Sequence, residues 1–599
     1  MPWISCLPLI PAASRGKTAP SCHRISGSIP TISHYSIHFN IVLNRVVNPG
    51  DMPTTDVSEL NIIATVLGLF TILFGLTSFK IKDVWYLGEA LPAVATGIVL
   101  GPIGSKFLDM DRWVDKSQQA KATLGVMRLM IGIQLVLAGY QLPKRYLQTR
   151  FKEITTCLVP VMTIMWLSTT ACVMAIIPRM PFTLALVAAA CVTSTDPVLS
   201  QAVAKGAFSD KFVVRPLREI ISAEAGANDG FASPFLMLGI GIIFQSDKSN
   251  DTAGTLATFG GVIKFWIIEA LLYTVFLSVG YGFIVGYCAQ RAVGFSLSRK
   301  WIDSESYLLF PTALGLFVVG TCGAIGTSDL LACFIAGCTV NWNGRFHAEA
   351  KRRHDQVNNC VDVLLNYGGF MFIGVTLPWD QFHQPEVTGI TWARLLCLGC
   401  MVLIFRRIPA LLMCYKFMPA VVKNWKEAIF MGYFGPIGVG AIYYLEHTQL
   451  LLLSRGKISS KEEQLLLSLT PIVYFLALFS ILVHGLSIPA LNMIYVRFNV
   501  QPVTNDAEQV RRKSAHVATP INAISTEQGT FIAFNRFDRP DQGGDQDERA
   551  NLQCCGTQSL DSTNETTGSD LALKAKTTRD QCATTHQPNA PDIGVEKVV

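Results

Sequence analysis

Thr193-Ser194-Thr195-Asp196-Pro197 interrupts an apolar run extending over roughly 181–204, and about 20 apolar residues suffice to cross a bilayer as a helix. Pro197 has no amide hydrogen and breaks the ladder of backbone hydrogen bonds. Thr195 and Asp196 then stand where two half-helices end and begin, and a carboxylate offsets the positive dipole end of a helix N-terminus. An ionisable side chain at mid-bilayer costs at least about 2.5–3.5 kcal/mol, so it needs a partner, water or a task. The alternative is a loop at the membrane edge, with Asp196 as an ordinary helix cap.

The surrounding chain makes a membrane setting the natural one. Half of its 599 residues are hydrophobic and 15% are charged, against roughly 25% charged in soluble domains. The apolar residues collect in thirteen runs, roughly 60–79, 84–104, 122–142, 154–177, 181–204, 217–244, 258–288, 306–323, 329–342, 359–377, 390–415, 428–446 and 465–495. Each is read as a spanning helix. The 16 cysteines are scattered along the chain, mostly inside these runs, unlike a small disulfide framework. A formal charge of +6, thinly spread, does not point to nucleic acid.

Charge in the connections sets orientation. The connections 144–152, 205–218, 291–300, 345–353 and 416–426 are basic, and those between them are poor in bases. The basic set is expected on the cytoplasmic side, with the N-terminus outside and the C-terminus inside. A glycosylation sequon, Asn250-Asp251-Thr252, falls in a loop this scheme places outside. Residues 1–57 read as an unstructured extension, with Met52 as an alternative start. Residues 58–499 form the membrane unit. Residues 500–599 hold 14 acids and 10 bases and few long apolar runs. They read as a disordered hydrophilic cytoplasmic tail, open to regulatory proteins.

Two further clusters accompany the first. In Glu224-Ala225-Gly226-Ala227-Asn228-Asp229-Gly230, Glu224 and Asn228 share a helix face, and Asp229 lies about 100° further round. A lone aspartate there can carry a proton or bind a hard cation, which prefers oxygen ligands. The alternative is a structural ion pair, the better reading for Glu224. In Phe434-Gly435-Pro436-Ile437-Gly438-Val439-Gly440, three glycines and a proline in seven residues should unwind a helix. Asp196 lies about 136 residues after the first span begins, and Pro436 about 130 after the eighth begins. Two interruptions at matching places point to an inverted repeat with a midplane site between two broken crossover helices. A glycine-rich packing surface is the alternative for the second.

Arg406 and Arg407 interrupt the eleventh run. Arginine stays charged, so a buried one needs a carboxylate, for which Glu224 is the candidate; otherwise one or both snorkel to the interface. Asp329, Asp362 and Glu446 are further acids in or near spans, able simply to cap a helix or face water. His484 is a possible proton carrier or a hydrogen-bonded core residue. No His-Glu-x-x-His zinc motif is present, and nothing else points to an enzyme, a cofactor or a bound metal other than a transported ion.

The segments 193–203, 216–236, 362–372, 405–411, 431–444 and 482–489 together, in this order and spacing, resemble the fungal plasma-membrane alkali cation (Na+/Li+/K+):proton antiporters of the monovalent cation:proton antiporter superfamily. The resemblance covers about 58–497. It implies an all-α polytopic protein of about thirteen helices, usually a homodimer, in which a core domain moves against a dimerisation domain. It implies that Thr195, Asp196, Asn228 and Asp229 line the ion site, that Pro197, Gly435, Pro436, Gly438 and Gly440 shape the crossover, and that Glu224 pairs with Arg406. The implied activity exchanges cytoplasmic Na+ or Li+, and K+ as a further substrate, for protons at Asp229. Animal sodium/proton exchangers carry an arginine where this chain has Ile437, and an acid near Asn366; the fungal pattern lacks both. A potassium/proton exchanger of an internal membrane, an ion channel and a salt sensor are the competing readings.

Overall fold

The computed structural model describes residues 58–178, 180–248, 255–353, 357–454, 460–504, 507–511, 523–527 and 530–534. The N-terminal extension 1–57 with its alternative start, the sequon at Asn250 and the tail beyond 534 lie outside the described residues. The described residues from Ile63 onward form one compact unit; of Met1–Ile62 only 58–62 is described, and 59–62 begin the first helix.

The described chain is almost wholly helical. In order come α1 (Glu59–Phe79), α2 (Ala90–Leu100), α3 (Lys116–Tyr140), α4 (Phe151–Ile176), α5 (Phe182–Cys191), α6 (Pro197–Lys205), α7 (Ala207–Phe212), α8 (Arg215–Phe231) and α9 (Ser233–Lys248). After them come α10 (Gly260–Ser298), α11 (Ser304–Ile325), α12 (Asp329–Val340), α13 (Arg345–Arg352), α14 (Val357–Thr376), α15 (Trp392–Phe405), α16 (Ile408–Cys414), α17 (Trp425–Tyr433), α18 (Val439–Leu453) and α19 (Ser460–Arg497). Among the described residues, eight helical stretches are long and apolar enough to cross a membrane, α8 with α9 and α15 with α16 each counting as one, and α2, α5 and α12 are shorter apolar helices.

The apolar runs 181–204 and 428–446 fold as broken helices. The run 181–204 divides into α5 and α6, with Pro197 opening α6 where its missing N–H costs nothing. The run 428–446 divides into α17 and α18 across 434–438. Small residues let the surrounding helices approach closely. A Cβ on Gly97 of α2 would come within 3.0 Å of the Gly374 Cα in α14, and the reverse substitution meets the Gly97 Cα at 3.0 Å. The buried core runs through α3, α5, α8, α12, α18 and α19, enclosing both breaks.

The stretch after 500, read as disordered, contains three short strands, β1 (Ala507–Arg511), β2 (Ala523–Glu527) and β3 (Thr530–Phe534), in an antiparallel sheet of order β1-β3-β2. Thr530-Phe531-Ile532-Ala533-Phe534 is rich in β-branched and aromatic residues, a local signal that the composition of the whole tail averages away. The chain leading to the sheet touches the helical body: the Val503 amide donates to the Lys211 carbonyl at 2.7 Å.

Candidate functional site

The first break is anchored by Asp196. It N-caps α6, with its Oδ1 accepting the Leu199 amide at 2.9 Å. Its Oδ2 accepts the Val439 amide, the first of α18, at 2.6 Å. Its own amide donates to the Pro436 carbonyl at 2.9 Å. One buried carboxylate therefore caps two helix N-termini, each presenting orphan N–H groups and a positive dipole end. Gly438 is required by this approach, since a Cβ there would run into the Asp196 carboxylate.

The opposite ends of the two breaks share an arginine. Arg406, 3% exposed, donates from Nη1 to the Gly435 carbonyl at 2.8 Å. Its Nη2 donates to the carbonyls of Thr193 at 2.9 Å and Ser194 at 2.6 Å. The guanidinium thus sits at the C-terminal ends of α5 and α17, where the helix dipoles are negative.

The expected pair of Glu224 with Arg406 is corrected by this geometry. Glu224 is bound instead by Arg407, with Nη1 to Oε1 at 2.8 Å and Nη2 to Oε2 at 2.6 Å. Arg407 also donates from Nε to the Met431 carbonyl at 3.1 Å, so it is paired and buried, not snorkelling. The cause lies in the backbone. α15 stops at Phe405 and α16 starts at Ile408, so the two consecutive arginines point at different neighbours. A pattern of two adjacent identical residues cannot say which faces which.

α8 delivers the remaining pair. Asn228 and Thr195 exchange hydrogen bonds: Asn228 Nδ2 donates to Thr195 Oγ1 at 2.7 Å, and the Thr195 amide donates to Asn228 Oδ1 at 3.1 Å. This ties α8 to the first break. Asp229, next along, is 0% exposed, and neither carboxylate oxygen has a hydrogen-bond partner among the described residues. A Cβ on Gly440 would meet Asp229 Oδ1 at 2.5 Å, so the glycine lets α18 pass directly over the carboxylate. The Asp229 main chain is held separately, its carbonyl accepting from the Tyr444 hydroxyl. Buried polar groups are rarely left without partners. A buried carboxyl of this kind is stable with a proton or a cation on it, and costly with neither.

The family described as "Sodium/hydrogen exchanger, transmembrane" matches residues 66–493. The chain belongs to the sodium/hydrogen exchanger family. It is 34% identical over 444 residues to Na+/H+ antiporter 2 of Zygosaccharomyces rouxii, covering 72% of this chain and 53% of that one. It is 35% identical over 494 residues to a probable Na+/H+ antiporter of Schizosaccharomyces pombe, covering 81% and 62%. A second Schizosaccharomyces pombe Na+/H+ antiporter is 32% identical over 444 residues, covering 73% and 91%. The chain thus spans little more than half the length of the first two relatives. The solved structure of the sodium proton antiporter MjNhaP1 from Methanocaldococcus jannaschii at pH 8 has the same fold, with a TM-score of 0.50 at 15% identity, covering 72% of this chain and all of that one.

Two other acids singled out from the sequence, Asp329 and Asp362, are held by partners in this exchanger-family chain. Asp329, the first residue of α12, accepts from Arg128 Nε at 2.6 Å and from the Tyr443 hydroxyl at 3.3 Å. Asp362 accepts from Gln134 Nε2 at 3.0 Å. The same amide donates to Asn366 Oδ1 at 2.5 Å, and Asn366 donates on to Glu89 at 3.2 Å. His484 lies between the Ser480 and Tyr433 carbonyls, both at 2.9 Å, and Ser480 Oγ accepts the Ile437 amide of the second break at 2.7 Å. Arg128, Gln134, Tyr444 and Ser480 were not singled out from the sequence. Arg128 and Gln134 carried a signal as polar residues in the apolar run 122–142; the tyrosine and serine carried none.

Proposed function

We propose that this chain is a secondary active antiporter that exchanges cytoplasmic Na+ or Li+, and K+ with them, for protons at one carboxylate. The observation that carries the proposal is Asp229, buried, with no hydrogen-bond partner within ordinary bonding geometry for either carboxylate oxygen among the described residues, and lying between two helix breaks. Asp229 releases its proton and takes up the cation, with Thr195 and Asn228 fixing α8 against the first break beside it. Asp196 and Arg406 hold the breaks open as backbone without helix, and the cation leaves once the core domain has moved. Proton and cation compete for one group, so uptake of either expels the other, and exchange needs no further machinery. The printed names of the relatives, all Na+/H+ antiporters, support the same reading.

Within this proposal the membrane unit has about thirteen spans in two inverted repeats, with α5/α6 and α17/α18 as the crossing broken helices. The unit is a homodimer in the plasma membrane, with the basic connections and the tail in the cytoplasm. The test is proton movement in sealed vesicles with an imposed pH gradient. Added Na+, Li+ or K+ should dissipate the gradient with the wild-type protein and not with Asp229→Asn. Equal dissipation by both proteins would remove Asp229 from the mechanism. Cation currents through the wild-type protein without proton movement would favour a channel.

A further inference from the structure

α18 carries a buried acid that the exchange mechanism does not use. Glu446 lies six residues beyond Gly440, about 9 Å along a helix, and is 6% exposed. Its side chain lines a cavity of about 660 Å³, with Gln119, Asp380, Gln449, Thr470 and Tyr474 among the other lining residues. The cavity also touches the ends of α2 and α14 and the start of α3, which the charge pattern of the connections assigns to the external face.

The charges around this cavity are unevenly compensated. Asp109 is paired with Arg112 at 3.7 Å and Asp111 with Lys116 at 3.7 Å. Glu446 has no ion pair among the described residues. Its one hydrogen bond comes from the Tyr474 hydroxyl at 3.4 Å, and that hydroxyl also lies 3.3 Å from Thr376 Oγ1. Gln449 Nε2 donates to Thr470 Oγ1 at 2.8 Å close by. A carboxylate with no ion pair among the described residues, in a low-dielectric cleft that Lys106 and Lys116 also line, concentrates the field beside it and raises the local cation concentration. The surrounding hydroxyl and amide oxygens suit a hard monovalent cation.

We propose that this cavity is the outer vestibule and that Glu446 with Tyr474 forms a cation-docking site at its inner end, occupied by Na+, Li+ or K+ on its way to or from Asp229. The proposal rests on the exchange reading for its direction of travel. The site itself is independent of that reading. Asp229 is where proton and cation compete; Glu446 holds the cation one step nearer the outside and sets how readily it enters from that face.

Two measurements test it. In sealed vesicles of one orientation, Glu446→Gln should raise the KM for sodium added from the vestibule side about tenfold, the low end of what a focused field supplies. The KM from the opposite side should stay near the wild-type value, and Glu446→Asp should restore the vestibule-side value. An unchanged KM, or an equal rise from both sides, overturns the docking role. The second measurement does not require exchange. In the purified full-length protein, Asp229→Asn should keep part of the rise in Tm produced by lithium chloride over choline chloride. Adding Glu446→Gln should remove that remainder, and a remainder that survives overturns the site. A wild-type protein that fails to exchange while this thermal pattern holds would defeat the exchange reading and leave the site standing.

Discussion

The break at 193–196 carries its own polar side chains, whereas the break at 434–438 consists of Phe434, Gly435, Pro436, Ile437 and Gly438 and carries none that bonds hydrogen. Both leave helix ends that need partners. The first supplies Asp196 to its own α6 and lends the second carboxylate oxygen to α18. The second receives Arg406 from the end of α15, and that guanidinium also serves the carbonyls of the first. One acid closes both N-termini and one base closes both C-termini. The second break therefore has no capping side chain of its own; it borrows Asp196, Arg406 and, at the Ile437 amide, Ser480. This division also explains Gly438: the side that borrows its caps must let a foreign side chain reach its backbone, as Gly438 does for Asp196, while Gly440 leaves room for Asp229.

The largest expected stability effect concerns the neighbouring arginine. Glu224→Gln leaves Arg407 buried without its counter-charge and should cost about 3–5 kcal/mol, read as a fall in Tm of the purified protein. Adding Arg407→Met should recover most of that loss, and adding Arg406→Met should deepen it. Recovery with Arg406→Met would return the ion pair to Arg406 and undo the assignment of Arg406 to the breaks.

Next comes Arg406→Met itself. It strands the carbonyls of Thr193, Ser194 and Gly435, at about 1 kcal/mol or more each, so a loss of about 3 kcal/mol is expected. Amide exchange should accelerate at both breaks together. Asp196→Ala removes two caps at about 0.5–2 kcal/mol each, and exchange should speed at the amides of both Leu199 and Val439. Acceleration at Leu199 alone would mean that the second break does not depend on the first. The smallest effect is expected for Tyr444→Phe, which loses one hydrogen bond to the Asp229 carbonyl. A Tm change equivalent to about 1 kcal/mol with exchange retained is the expected result.

What the sequence makes legible follows from local chemistry. Pro197 and the Gly-Pro-Ile-Gly run mark both breaks because proline and glycine act on the backbone where they stand. Thr195, Asp196, Asn228 and Asp229 stand out because acids and amides are costly in apolar runs. The pairing of Arg128 with Asp329, 201 residues apart, is not legible, because it depends on how α3 and α12 are rotated against each other. The same rotational freedom hides the double duty of Asp196, and it decides between Arg406 and Arg407. Composition over residues 500–599 likewise passes over strands of five residues each.

The central claim is that Asp229 holds either a proton or a cation, and the most direct measurement counts protons as the cation binds. Lithium chloride titrated into purified protein by calorimetry, in buffers of different ionisation enthalpy, should show about one proton released per protein molecule for the wild type and none for Asp229→Asn. Cation binding by the wild type with no proton release, or release that persists in Asp229→Asn, would contradict it.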